Sequence, residues 1–136
     1  MFSSNYNPPN RFEGVSIDWE EARPPQKLKL IEDHTQQVLT KNRSPDIGFT
    51  WSVNPYRGCS HACAYCYARP YHEYLGYSAG SDFERIIAFK PQAASLLREA
   101  FLKRSWAGEP IAFSGVTDCY QSVERKLQIT RDCLAV

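Results

Sequence analysis

Cys59, Cys63 and Cys66 stand in the run Cys59-Ser60-His61-Ala62-Cys63-Ala64-Tyr65-Cys66, a C-x3-C-x2-C spacing with an aromatic just before the last cysteine. Three thiolates on one short loop can wrap a corner of a cubane and ligate three of the four irons of a [4Fe–4S] cluster. The fourth iron then has no protein ligand from the loop and is open to a group that reacts. A closed zinc site is a different design: four protein ligands saturate a tetrahedral ion and no chemistry follows.

The competing reading is a small structural zinc-binding module without catalysis, with His61, His72, Cys119 or Cys133 as the fourth ligand. Such sites are usually built from paired C-x2-C elements, or from C-x2-C with H-x3-H. This chain has one triplet and no second pair. A disulfide framework fits less well, because five cysteines is an odd count.

The stretch Asn54-Pro55-Tyr56-Arg57-Gly58-Cys59-Ser60-His61-Ala62-Cys63-Ala64-Tyr65-Cys66-Tyr67-Ala68-Arg69-Pro70 resembles the cluster loop of the radical S-adenosylmethionine (radical SAM) superfamily, whose signature is C-x3-C-x-aromatic-C. Together with Ser44-Pro45-Asp46-Ile47-Gly48-Phe49, His72-Glu73-Tyr74-Leu75-Gly76 and Thr117-Asp118, it looks like an uncharacterised bacterial branch related to spore photoproduct lyase, often labelled DNA repair photolyase. The resemblance covers roughly residues 24 to 136. It names no substrate.

The resemblance implies a [4Fe–4S] cluster held by Cys59, Cys63 and Cys66, and S-adenosyl-L-methionine as second cofactor. One electron from the reduced cluster would cleave the S–C5′ bond, giving methionine and a 5′-deoxyadenosyl radical that takes a hydrogen atom from substrate. The reaction class is lyase- or oxidoreductase-like, with an electron donor of flavodoxin or ferredoxin type. Tyr65 matches the aromatic position expected beside the adenine; packing as a core aromatic is the alternative. Thr117 and Asp118 match the polar motif after the second barrel strand, which receives the cofactor's amino group by a charge-assisted hydrogen bond. An Asx turn or a helix N-cap before Val123 explains the same pair. Gly115 either lets the backbone approach a ligand or is a plain turn glycine.

The chain also departs from that branch. Cys119 stands where a proline usually follows Thr-Asp, and Ser114 and Gly115 stand where spore photoproduct lyases carry a hydrogen-donating cysteine. Repair by that donor is therefore not supported. Cys133 reads as a small buried hydrophobe. Arg57 and Arg69 can pair with a carboxylate or phosphate, or are structural. His61 faces solvent or packs under the loop, and His72 with Glu73 can form an acid/base pair. No catalytic role follows for any of these positions from spacing alone.

The elements that must position these residues read as strands and helices in alternation. Phe49 to Val53 alternates apolar with polar and leads into the cysteine loop. Arg85 to Lys90 is a short apolar run, as in a buried strand. Pro91 opens a helix, with Ala93, Leu96, Leu97, Ala100 and Phe101 on one face. Ile111 to Phe113 is a second buried strand, turning at Ser114 to Asp118. Val123, Leu127 and Leu134 mark one last helix. Between Leu28 and Leu39, strand and short helix are equally compatible with the pattern.

This alternation predicts an α/β fold with a parallel sheet. Ligands gather at the C-terminal strand ends of such sheets. The cysteine loop and Ser114 to Asp118 each follow a predicted strand, so Asp118 is expected near the cysteines. The resemblance implies the N-terminal portion of a partial (β/α)6 barrel, with residues 1–48 a partly disordered extension and 49–136 an incomplete radical SAM core domain. Such barrels need about 200 residues, so the chain is expected to be a fragment with impaired activity.

The 136 residues suit one small domain. A net charge of +1 gives no whole-chain attraction to nucleic acid, which leaves nucleic-acid binding unsupported by charge. No 18-residue apolar run predicts a membrane span. Met1 to Asn10 lacks the apolar core of a signal peptide, and the thiol-rich loop suits a reducing compartment, so the expected location is cytoplasmic. Pro8, Pro9, Pro24 and Pro25 argue for an extended or disordered arm before residue 27.

Overall fold

The computed structural model describes residues 11–12 and 27–136; the predicted proline-rich arm lies outside them but for Arg11 and Phe12. Six short strands follow in order: β1 Lys29–Glu32, β2 Leu39–Lys41, β3 Trp51–Val53, β4 Tyr56–Arg57, β5 Ile86–Phe89 and β6 Ile111–Phe113. The helices are α1 Ser81–Arg85, α2 Ala93–Leu102, α3 Glu124–Leu127 and α4 Ile129–Leu134, with a 3₁₀ segment at Arg69–Leu75.

The strands form two three-stranded sheets, ordered β1-β5-β4 and β2-β3-β6. The expected parallel pairing holds for β1 with β5 and for β3 with β6. β2 on β3 and β4 on β5 are antiparallel. The sheets are therefore mixed, and neither closes into a barrel among the described residues. The division expected at residue 48 falls between β2 and β3, which are hydrogen-bonded neighbours.

Asn54-Pro55 explains how the chain changes sheet. Proline has no N–H to continue a ladder, so β3 stops at Val53 in one sheet and β4 begins at Tyr56 in the other. The Pro55 carbonyl accepts from the Lys90 amide at 3.0 Å, tying this crossing to the end of β5.

One apolar core lies between the sheets and the helices. It joins Leu39 and Val53 of one sheet, Tyr56 and Ile87 of the other, Ala93 and Leu97 of α2, and Val123, Ile129 and Cys133 beyond β6. The predicted strands at 49–53, 85–90 and 111–113 and the apolar face of α2 all contribute to it. The buried Tyr56 hydroxyl donates to the Glu124 carboxylate. That carboxylate also accepts from the amides of Thr130 at 3.1 Å and Arg131 at 3.0 Å. A buried carboxylate with three donors is satisfied, and it fastens the last helices to β4.

The single last helix expected from Val123, Leu127 and Leu134 is corrected. Gln128 is left-handed at φ 54°, so α3 and α4 are separate helices. The break resets the helical phase. Ile129, Thr130 and Cys133 turn inward, while Leu134 is exposed.

Candidate metal centre

Gly58 starts the cysteine loop at φ +78°, a left-handed conformation that L side chains rarely adopt. A Cβ there would meet the Ile86 carbonyl oxygen at 2.6 Å and that of Phe83 at 2.9 Å. Glycine therefore lets the loop leave β4 pressed against the α1–β5 junction. The next amide, that of Cys59, donates to the Phe83 carbonyl at 2.9 Å.

Three successive turns follow. The amides of Ala62, Cys66 and Arg69 donate to the carbonyls of Cys59, Cys63 and Cys66 at 3.4, 3.2 and 3.4 Å. Ala62 is left-handed at φ 56°, which costs an L residue about 1–2 kcal/mol. Arg69 closes the loop: Nε donates to the Cys63 carbonyl at 3.0 Å and Nη1 to those of Ala79 and Gly80 at 3.2 and 3.1 Å. Nη2 pairs with Glu84. Arg69 is thus the structural arginine of the two readings, its fork spent on the loop.

Cys59 is buried in a small cluster with Ala68 and Phe83, and Cys66 packs against the same cluster. Cys63 is partly exposed, and all five cysteines are free thiols. The donor set suits a thiolate-held iron–sulfur cluster in type and order along the backbone. Among the described residues, no three His, Cys, Asp or Glu side chains are gathered closely enough to hold an ion. The fit lies in the donor chemistry and the loop, and binding would require the thiols to turn toward a common centre.

The segment after β6 docks on this loop, as the parallel pairing of β3 and β6 requires. Asn54 Oδ1 accepts from the amides of Gly115 at 2.8 Å and Val116 at 3.2 Å. Tyr67 donates its hydroxyl hydrogen to the Gly115 carbonyl. Thr117 Oγ1 donates to the Gly58 carbonyl at 2.7 Å, and Gln121 Nε2 donates to the same oxygen at 3.1 Å. Ser114, at φ 70°, is the second strained residue of the assembly.

Asp118 lies beside the cysteine loop through His61, whose Nε2 is 3.1 Å from Asp118 Oδ2, both side chains about half exposed. Asp118 Oδ1 accepts from the Tyr120 amide at 2.7 Å, the Asx turn of the alternative reading. Asp118 does not cap a helix, since α3 begins only at Glu124. Tyr65 is 91% exposed and is not a core aromatic.

The remaining candidates separate. Arg57 Nε is 3.5 Å from Asp33 Oδ2. Glu73 pairs with Arg11 at 2.7 Å rather than with His72. The buried His72 ring lies against Tyr77 and edge-on to Phe83. Burial pushes its pKa down to about 4, against the opposing pull of Asp82. Burial also raises the Cys119 thiol, helped by Asp118, and pushes Cys133 up to about 11. Cys133 sits in the main core, the small buried hydrophobe expected of it.

Sequence reasoning missed Asn54, Ser60 and Gln121. Ser60 and Gln121 carry no signal alone, for a buried glutamine looks like any polar helix-start residue. Asn54 had one, since an asparagine before Pro55 at a strand end is a natural acceptor for a neighbouring loop.

Among the described residues no helix is long and apolar enough to cross a membrane. No family model matches the chain, and no solved structure does. It is 47% identical over 94 residues to uncharacterised proteins of Mycobacterium tuberculosis and Mycobacterium bovis, a match covering 65% of this chain and 28% of each relative. An uncharacterised protein of Methanocaldococcus jannaschii is 26% identical over 108 residues, covering 79% of this chain and 38% of that protein. The chain thus spans less than two fifths of the length of these relatives.

Proposed function

We propose that this chain carries the cluster-binding part of a radical SAM protein, with Cys59, Cys63 and Cys66 holding a [4Fe–4S] cluster and S-adenosylmethionine bound beside it. The observation that carries the reading is the docking of the 114–121 segment on the cysteine loop, which sets Thr117 and Asp118 beside Gly58 and His61. When bound, such a cluster supplies the electron that cleaves the cofactor's S–C5′ bond.

The chain's own residues do the holding. The three cysteines bind as thiolates. Arg69 and Gln121 fix the loop by its carbonyls, so that the thiols turn on a steady backbone. Asp118 Oδ2, which among the described residues pairs with a half-exposed imidazole, is able to accept from an ammonium instead. Tyr65, free of the core, offers its face to an adenine. Of the fourth ligands that the zinc reading offers, Cys133 belongs to the main core and His72 is buried against Tyr77 and Phe83.

Adding S-adenosylmethionine to the reduced, reconstituted protein should change its electron paramagnetic resonance signal. The change should weaken in Asp118→Ala. A signal that S-adenosylmethionine leaves untouched in the parent chain contradicts the cofactor site.

A further inference from the structure

Beside the cysteine loop lies a cavity of about 270 Å³, lined among others by Asn54, Arg57, Tyr71, His72, Phe83 and Lys90. Its size is close to the lower end for small-molecule sites. None of the three loop cysteines lines it.

The polar groups here are short of partners. Lys90 is 5% exposed, and among the described residues no carboxylate comes within ion-pair distance of its ammonium. Burial lowers its pKa, and the nearby Arg57 lowers it further, with Asp33 opposing. Asp33 is already the partner of Arg57 at 3.5 Å, so two cations share one carboxylate. His72 is 1% exposed, and among the described residues neither ring nitrogen has a hydrogen-bond partner. Asn54 Oδ1 accepts from the amides of Gly115 and Val116, and its Nδ2 has no partner among the described residues.

Buried charges persist where something pairs with them, and buried donors where something accepts from them. Two cations against the one carboxylate of Asp33, at one small aromatic-walled cavity, are the complement of an oxyanion. Arg57 offers a planar fork and Lys90 a point charge, the pair of types that hold carboxylate and phosphate. We propose that this cavity is an anion subsite that takes the carboxylate or phosphate group of a small organic ligand, with Tyr71 and Phe83 as walls for its apolar part.

The test is an amide chemical-shift titration of the whole chain at constant ionic strength, with chloride exchanged for inorganic phosphate in one arm and for acetate in the other. Saturable shifts at Arg57, His72 and Lys90 are expected in at least one arm, and the arm that saturates first identifies the headgroup. Lys90→Met should weaken that binding about ten-fold or more, the scale of one charge-assisted contact. Lys90→Arg should retain it, and Arg98→Gln, at an exposed site on α2, should leave it unchanged. Shifts that fail to saturate in both arms of the parent chain overturn the proposal, whatever the variants do. So does equal weakening by Arg98→Gln. A null titration overturns the anion subsite and leaves the cluster reading standing.

Discussion

Gln121 Nε2 donates to the carbonyl oxygen of Gly58 at 3.1 Å, from a side chain that is almost wholly buried. Its Oε1 accepts from the amide of Ser60 at 3.2 Å. One side-chain amide therefore clasps the backbone on both sides of Cys59, as a neighbouring strand would. Thr117 strengthens the clasp by donating to the same carbonyl and accepting from the same amide nitrogen at 3.1 Å.

Replacing Gln121 with Leu keeps much of the volume and removes both bonds. The part-buried Ser60 amide loses its partner while the Gly58 carbonyl keeps Thr117, which should cost about 1–3 kcal/mol. Urea unfolding reads the loss, and the variant should retain less iron after reconstitution. An unchanged midpoint with unchanged iron content would mean that the clasp does not hold the loop.

His72 makes stability depend on pH. Burial holds its folded pKa at about 4, below the ordinary value of 6.5. The unfolded chain thus takes up the proton at higher pH than the folded one. The contribution is complete above about pH 6.5 and falls away as pH drops toward 4, by roughly 3 kcal/mol at most. His72→Phe should flatten unfolding free energy over that window. Parallel pH profiles for parent and variant contradict a buried neutral imidazole.

The last two helices are separated by a left-handed glutamine. Gln128→Gly relieves a strain of about 1–2 kcal/mol and adds about 0.5–1 kcal/mol of backbone entropy cost, for a net gain between about 0 and 1.5 kcal/mol. Thermal unfolding should rise slightly. A fall would show that the glutamine side chain contributes more than its backbone costs.

The strands at 51–53, 86–89 and 111–113 and the helix at 93–102 were legible because each has an apolar pattern that its burial uses. So was the approach of Asp118 to the cysteine loop, which follows from β3 and β6 running parallel. The break at Gln128 was not, because nothing in Val123 to Leu134 forbids a continuous helix, and the kink is rewarded by the hydrogen bonds of the Thr130 and Arg131 amides to Glu124. The mixed sheets were hidden for a similar reason: two-residue β4 is too short to carry a period. The cavity beside Lys90 was invisible, since a lysine after an apolar strand reads as a solvated end while the cavity it lines also takes in Arg57 and His72, distant in the sequence.

Iron and sulfide content after anaerobic reconstitution tests the central claim most directly. The parent chain should carry about four irons and four sulfides, the stoichiometry of a cubane. Cys63→Ser should lose them, and Cys133→Ser, in the main core, should keep them. Stoichiometric zinc without iron in the parent chain, or equal loss in the two variants, would contradict the assignment.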